Sequence, residues 1–144
     1  MKNIETLNFI DKESNSNVFI MFRFIESIIG ISIAIEKNGD IDLLFGIDDC
    51  KKIIDNLNNS ISISQMIRNA YKGISTIQFQ NSVYKIDETM TIFAGKDNVI
   101  IHFFFKEDID ENDIEIIIET KDCEILIKRL QEAIDILEGS NKTK

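Results

Sequence analysis

The chain has 144 residues and carries 16 lysines and arginines against 25 aspartates and glutamates, for a formal charge of -9 with its one histidine neutral. A chain of this size buries roughly 68–70% of its unfolded surface and can hold one core without disulfide staples; 44% hydrophobic and 28% charged residues exclude a disordered chain. No apolar run approaches the ~20 residues that cross a bilayer, and Met1-Lys2-Asn3-Ile4-Glu5 has no apolar signal core, so no membrane association, a cytoplasmic location and two free thiols are the expectation.

Abundant Ile, Asn and Lys with scarce Arg and Ala point to an AT-rich bacterial, archaeal or phage genome. Binding to nucleic acid needs several cations to displace counterions from phosphates. Here the basic residues form only small groups, Lys51-Lys52, Arg68 with Lys72, and Lys128-Arg129, each beside acids on a predicted helix face.

In chain order, Ile4–Ile10 and Asn17–Ile25 are predicted strands. Ile28–Glu36 is a third, with Ile29, Ile31, Ile33 and Ile35 on one face. Lys37-Asn38-Gly39-Asp40 is a predicted hairpin turn, because both central positions of a type I′ turn need positive φ. The following apolar run enters a helix whose buried positions recur as Cys50, Ile53, Ile54, Leu57 and Ile61. Ser64 is predicted to cap a short helix through Lys72, closed by Gly73. Strands follow at Ile74–Gln80, with a possible extension through Tyr84, and at Thr89–Ala94. A turn at Gly95-Lys96-Asp97-Asn98 leads to a strand at Val99–Lys106. An acidic loop, Glu107–Asn112, then precedes a strand at Asp113–Glu119 and a helix with Cys123, Leu126, Ile127, Leu130 and Ile134 inward.

The stretch Asp40–Cys50 reads like Asp113–Cys123 at an offset of 73, with Asp-Cys shared at the same helical position. A duplicated single domain over 1–144 is therefore expected: a first repeat over about 3–61, a connector 62–72, a second repeat over about 73–138, and a polar tail 139–144 that frays. The expected class is α+β, two ββββα units with antiparallel meanders, each running directly into an amphipathic helix. Several strands are apolar on both faces, Phe19, Met21 and Ile25 opposing Val18, Ile20, Phe22 and Phe24. Such strands need cover on both sides, and a homodimer is one expected source of it.

The succession Phe22-Arg23-Phe24, Gly30-Ile31-Ser32-Ile33 and Asp42-Leu43-Leu44-Phe45 before a helix resembles the Whirly and Pur-alpha class of single-stranded nucleic-acid binders, in topology, over roughly residues 3–138. The resemblance implies a four-strand-and-helix unit used twice, and a sheet that stacks bases on aromatics within a basic groove. Here Arg23 is the only arginine on a predicted strand, so the fold is expected to carry over and the nucleic-acid ligand is not.

His102 lies among Ile100, Ile101, Phe103 and Phe104 with no nucleophile or orienting partner nearby, so it reads as a structural or interface histidine. With Ile100 and Phe104 it marks a possible interface or ligand face. Cys50 and Cys123 start their helices, where a thiol pKa can fall. Two cysteines and one histidine do not make a tetrahedral zinc site, however, and buried small residues are expected. The run Glu107, Asp108, Asp110, Glu111, Asp113 is the strongest anomaly. Asp108, Asp110, Asn112 and Glu119 echo a calcium loop, but the sixth position is Asp113 where glycine is required.

No cofactor and no catalytic set is expected. The leading expectation is a non-catalytic acidic binder of a basic, nucleic-acid-handling protein, an inhibitor, immunity or anti-defence type, with Glu107–Asp113 in the contact. A Whirly/Pur-like single-strand binder and a small-ligand or metal-binding module are the alternatives.

Overall fold

A computed structural model describes residues 4–36, 39–67, 72–80, 87–105 and 114–142. Eight strands and two helices follow one another as β1 (Leu7–Asp11), β2 (Ser16–Ile25), β3 (Ile28–Ile35), β4 (Gly39–Phe45), α1 (Ile47–Ser64), β5 (Lys72–Gln80), β6 (Asp87–Gly95), β7 (Asn98–Phe105), β8 (Ile114–Glu119) and α2 (Thr120–Lys142). The class is α+β: β1–β4 and β5–β8 form two four-stranded antiparallel sheets, ordered as in the sequence.

The register of the first sheet explains its core. Ile20 pairs with Leu7 and Ile33, and Ile31 pairs with Phe22 and Leu43, so aliphatic side chains stand in rows on one face. The second sheet repeats the logic with Met90–Phe103, Ile92–Ile101–Ile116 and Val99–Ile118. The inner faces of both sheets and the apolar faces of both helices share one buried cluster. At its centre a cavity of about 20 Å³ is bounded by Ile20, Leu43, Leu57, Met90, Phe103 and Leu130 among others. It is apolar throughout, so water entering it would find no hydrogen-bond partner.

Asp48 and Asp49 in the first turn of α1 complement the positive end of the helix dipole. Helix α1 lies against α2 and against β5, β6 and β7 of the second sheet. The contacts between them are partly polar: Ser60 Oγ donates to the Phe93 carbonyl at 3.1 Å, and the Cys50 thiol points at the Leu130 carbonyl at 3.8 Å. The β6–β7 hairpin tip ties the helices together. Asp97, at φ 57°, donates its N–H to the Ser64 carbonyl, and its own carbonyl accepts from Thr120 N–H.

Three expectations are corrected. Ser64 does not open a second helix; it is the last residue of α1, buried, with its hydroxyl donating to the Ile61 carbonyl at 2.8 Å. The apolar stripe of α1 continues through Ser60 and Ser64, whose buried hydroxyls find carbonyls, so the helix needs no stop at Ile61. Gly73 lies inside β5, opposite Phe93 in the strand register, rather than closing a helix. Pairing after β3 resumes at Gly39 opposite Ile35, so Gly39 and Asp40 belong to β4 and not to a turn; Lys37 and Asn38 lie outside the described residues. Helix α2 runs on into the polar tail as far as Lys142.

The two sheets also answer their two-sided apolarity differently. On the outer face of the second sheet, Ile100 and Ile117 are buried. On the outer face of the first, Phe19 (39%), Met21 (43%) and Ile25 (39%) remain exposed, as does Ile10 of β1 (40%). The expected second cover for this sheet is not supplied by the chain's own described residues.

Candidate functional site

The second sheet's outer face carries a polar row. Thr76, Thr91, His102 and Glu115 are successive register partners across β5, β6, β7 and β8. The two threonine hydroxyls lie 3.2 Å apart. Of the three residues expected to form an interface or ligand face, Ile100 is buried and His102 half-buried. Phe104 is placed by its backbone opposite Thr89.

The row ends where the β1–β2 turn meets β8. Sequence alternation puts Leu7, Phe9 and Asp11 on the buried side of β1, so an acid is driven into the protein. Asp11 is completely buried. Its carboxylate accepts Ile117 N–H at 2.9 Å, Glu13 N–H at 3.2 Å and the Ser14 hydroxyl at 2.6 Å. The Ile117 carbonyl in turn accepts Lys12 N–H at 2.8 Å. The edge strand β8 is thereby closed at its middle by one backbone group and one side chain. An open strand edge invites pairing with other chains, and this closure removes the invitation there.

Charge gathers around this seam. Lys12 Nζ reaches Glu119 at 2.7 Å, and Lys121 reaches the same carboxylate at 3.2 Å. Hydrogen bonds from the two lysines hold the Glu119 carboxyl below the usual glutamate range. Glu115 is displaced the other way, first by burial and then by Glu13, which lies within hydrogen-bonding reach, with Asp11 adding to the effect and His102 opposing it. Elsewhere Lys51 pairs with Glu138 at 3.5 Å and Arg129 with Glu132 at 2.7 Å.

The open face of the first sheet is organised around β2. Arg23 lies opposite Gly30, and its Cγ would stand 2.7 Å from a Cβ at that position; Leu44, on the far side of Gly30, is buried. The Arg23 guanidinium stands 4.0 Å from Asp42, which also accepts the Ser32 hydroxyl at 2.6 Å. This face carries one arginine and one exposed aromatic, Phe19, and the remaining rings of β2, Phe22 and Phe24, pack against the core.

Burial decides the state of the two thiols. Cys50 and Cys123 are each the fourth residue of their helix and fully buried. Their pKa values are pushed up to about 12, so desolvation outweighs any activation by the helix terminus.

The acidic run Glu107, Asp108, Asp110, Glu111 and Asp113, with Asn112 of the calcium-loop echo, lies outside the described residues. Its fourth partner, Glu119, is held by two lysines. Among the described residues no group of three or more His, Cys, Asp or Glu side chains could hold a metal ion, and no helix is long and apolar enough to cross a membrane. In the sequence the Phe19, Met21 and Ile25 face is named as one needing cover, whereas Asp11 is not singled out. The signal for Asp11 is an acid at the third inward position of Leu7-x-Phe9-x-Asp11.

No protein-family model matches the chain, and no curated protein is significantly similar to it in sequence.

Proposed function

We propose that the protein is a non-catalytic acidic interaction protein that binds a basic, nucleic-acid-handling protein and blocks it, as an immunity or anti-defence inhibitor does. The distribution of charge supports this reading best. Lys12, Lys51, Lys121 and Arg129 are each engaged by a carboxylate, while Glu13 and Glu115 come together without a lysine between them. Glu115 lies two residues after Asp113, the end of the run Glu107–Asp113. A chain of charge -9 with such a concentration of acids steers a basic partner toward it and sets its register, and carboxylates can occupy positions where the partner takes phosphates. The scaffold, in this reading, arose by internal duplication; the shared Asp49-Cys50 and Asp122-Cys123 at an offset of 73 and the like order of elements support that origin.

Affinity capture from bacterial cells at low salt tests the proposal. The wild-type chain is expected to retain a basic protein that elutes as salt rises. A variant carrying Asp108→Asn, Asp110→Asn, Glu111→Gln and Asp113→Asn is expected to lose it. Unchanged retention by that variant would remove the loop from the contact.

A Whirly/Pur-like single-strand binder is the second reading, favoured by one observation: Phe19, Met21 and Arg23 stand together on the open face of a four-stranded sheet. Retardation of mixed-sequence single strands at low salt would support it, and none at high micromolar protein would end it.

A further inference from the structure

The turn between β1 and β2 lies across the edge of β8 and is held there by Asp11 and Lys12. Both main-chain groups of Ile117 face it: the N–H donates to the Asp11 carboxylate at 2.9 Å, and the carbonyl accepts Lys12 N–H at 2.8 Å. Two residues to either side along β8, on the same face of the strand, stand Glu119 and Glu115. Lys12 Nζ reaches Glu119 at 2.7 Å, whereas Glu13, the next residue of the turn, faces Glu115 within hydrogen-bonding reach. The turn is also tied to itself. Asn15 N–H donates to the Asp11 carbonyl at 2.8 Å and the Ser14 hydroxyl to the Asp11 carboxylate at 2.6 Å, which couples its residues into one unit.

The two flanks of this contact answer pH differently. Lys12 and Glu119 attract throughout the interval between the ordinary glutamate and lysine ranges. Glu13 and Glu115 are two acids, compatible at close range only while one of them keeps a proton. The other described groups around Glu115 give limited relief. Asp11 on β1 is a third carboxylate, and His102, the register partner of Glu115 on β7, opposes the repulsion only when protonated. Burial first, and then Glu13, make Glu115 hold its proton more tightly in the closed arrangement. Exposed charge pairs of either sign are weak and similar in size, so a single proton shifts the balance between the flanks. We propose that the β1–β2 turn is a latch on the edge of β8 that loosens as pH rises, the like charges of Glu13 and Glu115 pushing it off while Lys12 and Glu119 hold the other side. Closed, it covers both main-chain groups of Ile117; loosened, it frees one donor and one acceptor of an edge strand. The latch is independent of the acidic-inhibitor reading, which requires no movement of the turn.

Native-state hydrogen exchange on the intact chain tests it. The Ile117 amide points at the turn, and strand alternation points the Ile118 amide at β7, where Ile118 pairs with Val99. Ile118 is therefore the reference within the same samples. With intrinsic exchange rates divided out, protection of Ile117 relative to Ile118 is expected to fall about twofold or more between about pH 4 and about pH 7. Glu115→Gln has no proton to lose and Glu13→Gln no charge to repel it, so each should flatten that fall. A ratio that stays constant with pH in the wild type, whether both amides hold or both open together, overturns the proposal. So does a fall that either variant retains in full, since the titrating pair would then lie elsewhere.

Discussion

The Asp11 carboxylate accepts the Ile117 N–H at 2.9 Å from a position without solvent exposure. One side chain near the start of the protein thus closes the edge of its last strand, 106 residues away. Removing the acceptor leaves a buried donor unpaired, and the Glu13 and Ser14 donors lose their partner as well. Asp11→Ala is expected to cost about 2–4 kcal/mol in urea denaturation. Asp11→Asn keeps one acceptor oxygen and should cost less. Hydrogen exchange at the Ile117 amide should accelerate in Asp11→Ala before the rest of β8; protection equal to wild type would show that the bond does not hold the edge.

Two carboxyls near that seam give opposite pH dependence. The folded protein binds a proton at Glu115 more tightly than the unfolded chain does. Stability linked to Glu115 therefore falls as pH rises from the unfolded value through the raised folded value, and stays low above it. Glu119 is held below the ordinary range by Lys12 and Lys121. Its contribution is present above the unfolded value and is lost as pH falls through the folded one. Glu115→Gln should be more stable than wild type at neutral pH, with the difference closing below about pH 4. A difference that persists at pH 3 would mean the substitution acts through packing and not through charge.

Gly30 is required by its neighbour. A Cβ there would meet Arg23 Cγ at 2.7 Å and Leu44 Cδ2 at 3.0 Å, and the Cγ belongs to the stem of the arginine rather than its mobile end. Gly30→Ala is expected to destabilise by about 1–3 kcal/mol. In an Arg23→Ala background the same change should cost distinctly less, a coupling that a double-mutant cycle measures directly. Additive effects would place the strain elsewhere.

Thiol chemistry should be silent in the folded state. With Cys50 and Cys123 buried and their pKa values near 12, neither should react with a disulfide reagent at pH 8. Both should react once denaturant unfolds the chain. Rapid modification of one thiol in native buffer would contradict the burial.

Much of the secondary structure was legible because each element repeats its own period. The alternation in Ile29, Ile31, Ile33 and Ile35, and the 3–4 spacing from Cys50 to Ile61, admit one reading each. The end of α1 was not legible, since Ser60 and Ser64 look like connector residues until Phe93 and Ile61 supply carbonyls for their hydroxyls. Two-sided apolarity in β2 showed that cover was needed, but which face stays open depends on how the sheets pack, which no local pattern encodes. Asp11 belongs to the same class. Its buried position follows from strand alternation, whereas its partner Ile117 is fixed only by the tertiary fold.

The most direct test of the acidic-inhibitor reading is the salt dependence of affinity for the captured basic partner, measured by calorimetry with the purified pair. Affinity is expected to fall steeply between about 50 and 500 mM salt, as screening shortens the reach of surface charge, and the slope should flatten when Asp108, Asp110, Glu111 and Asp113 are neutralised together. An affinity that stays constant across that range, or that the neutralised chain retains in full, would contradict recognition through acidic charge.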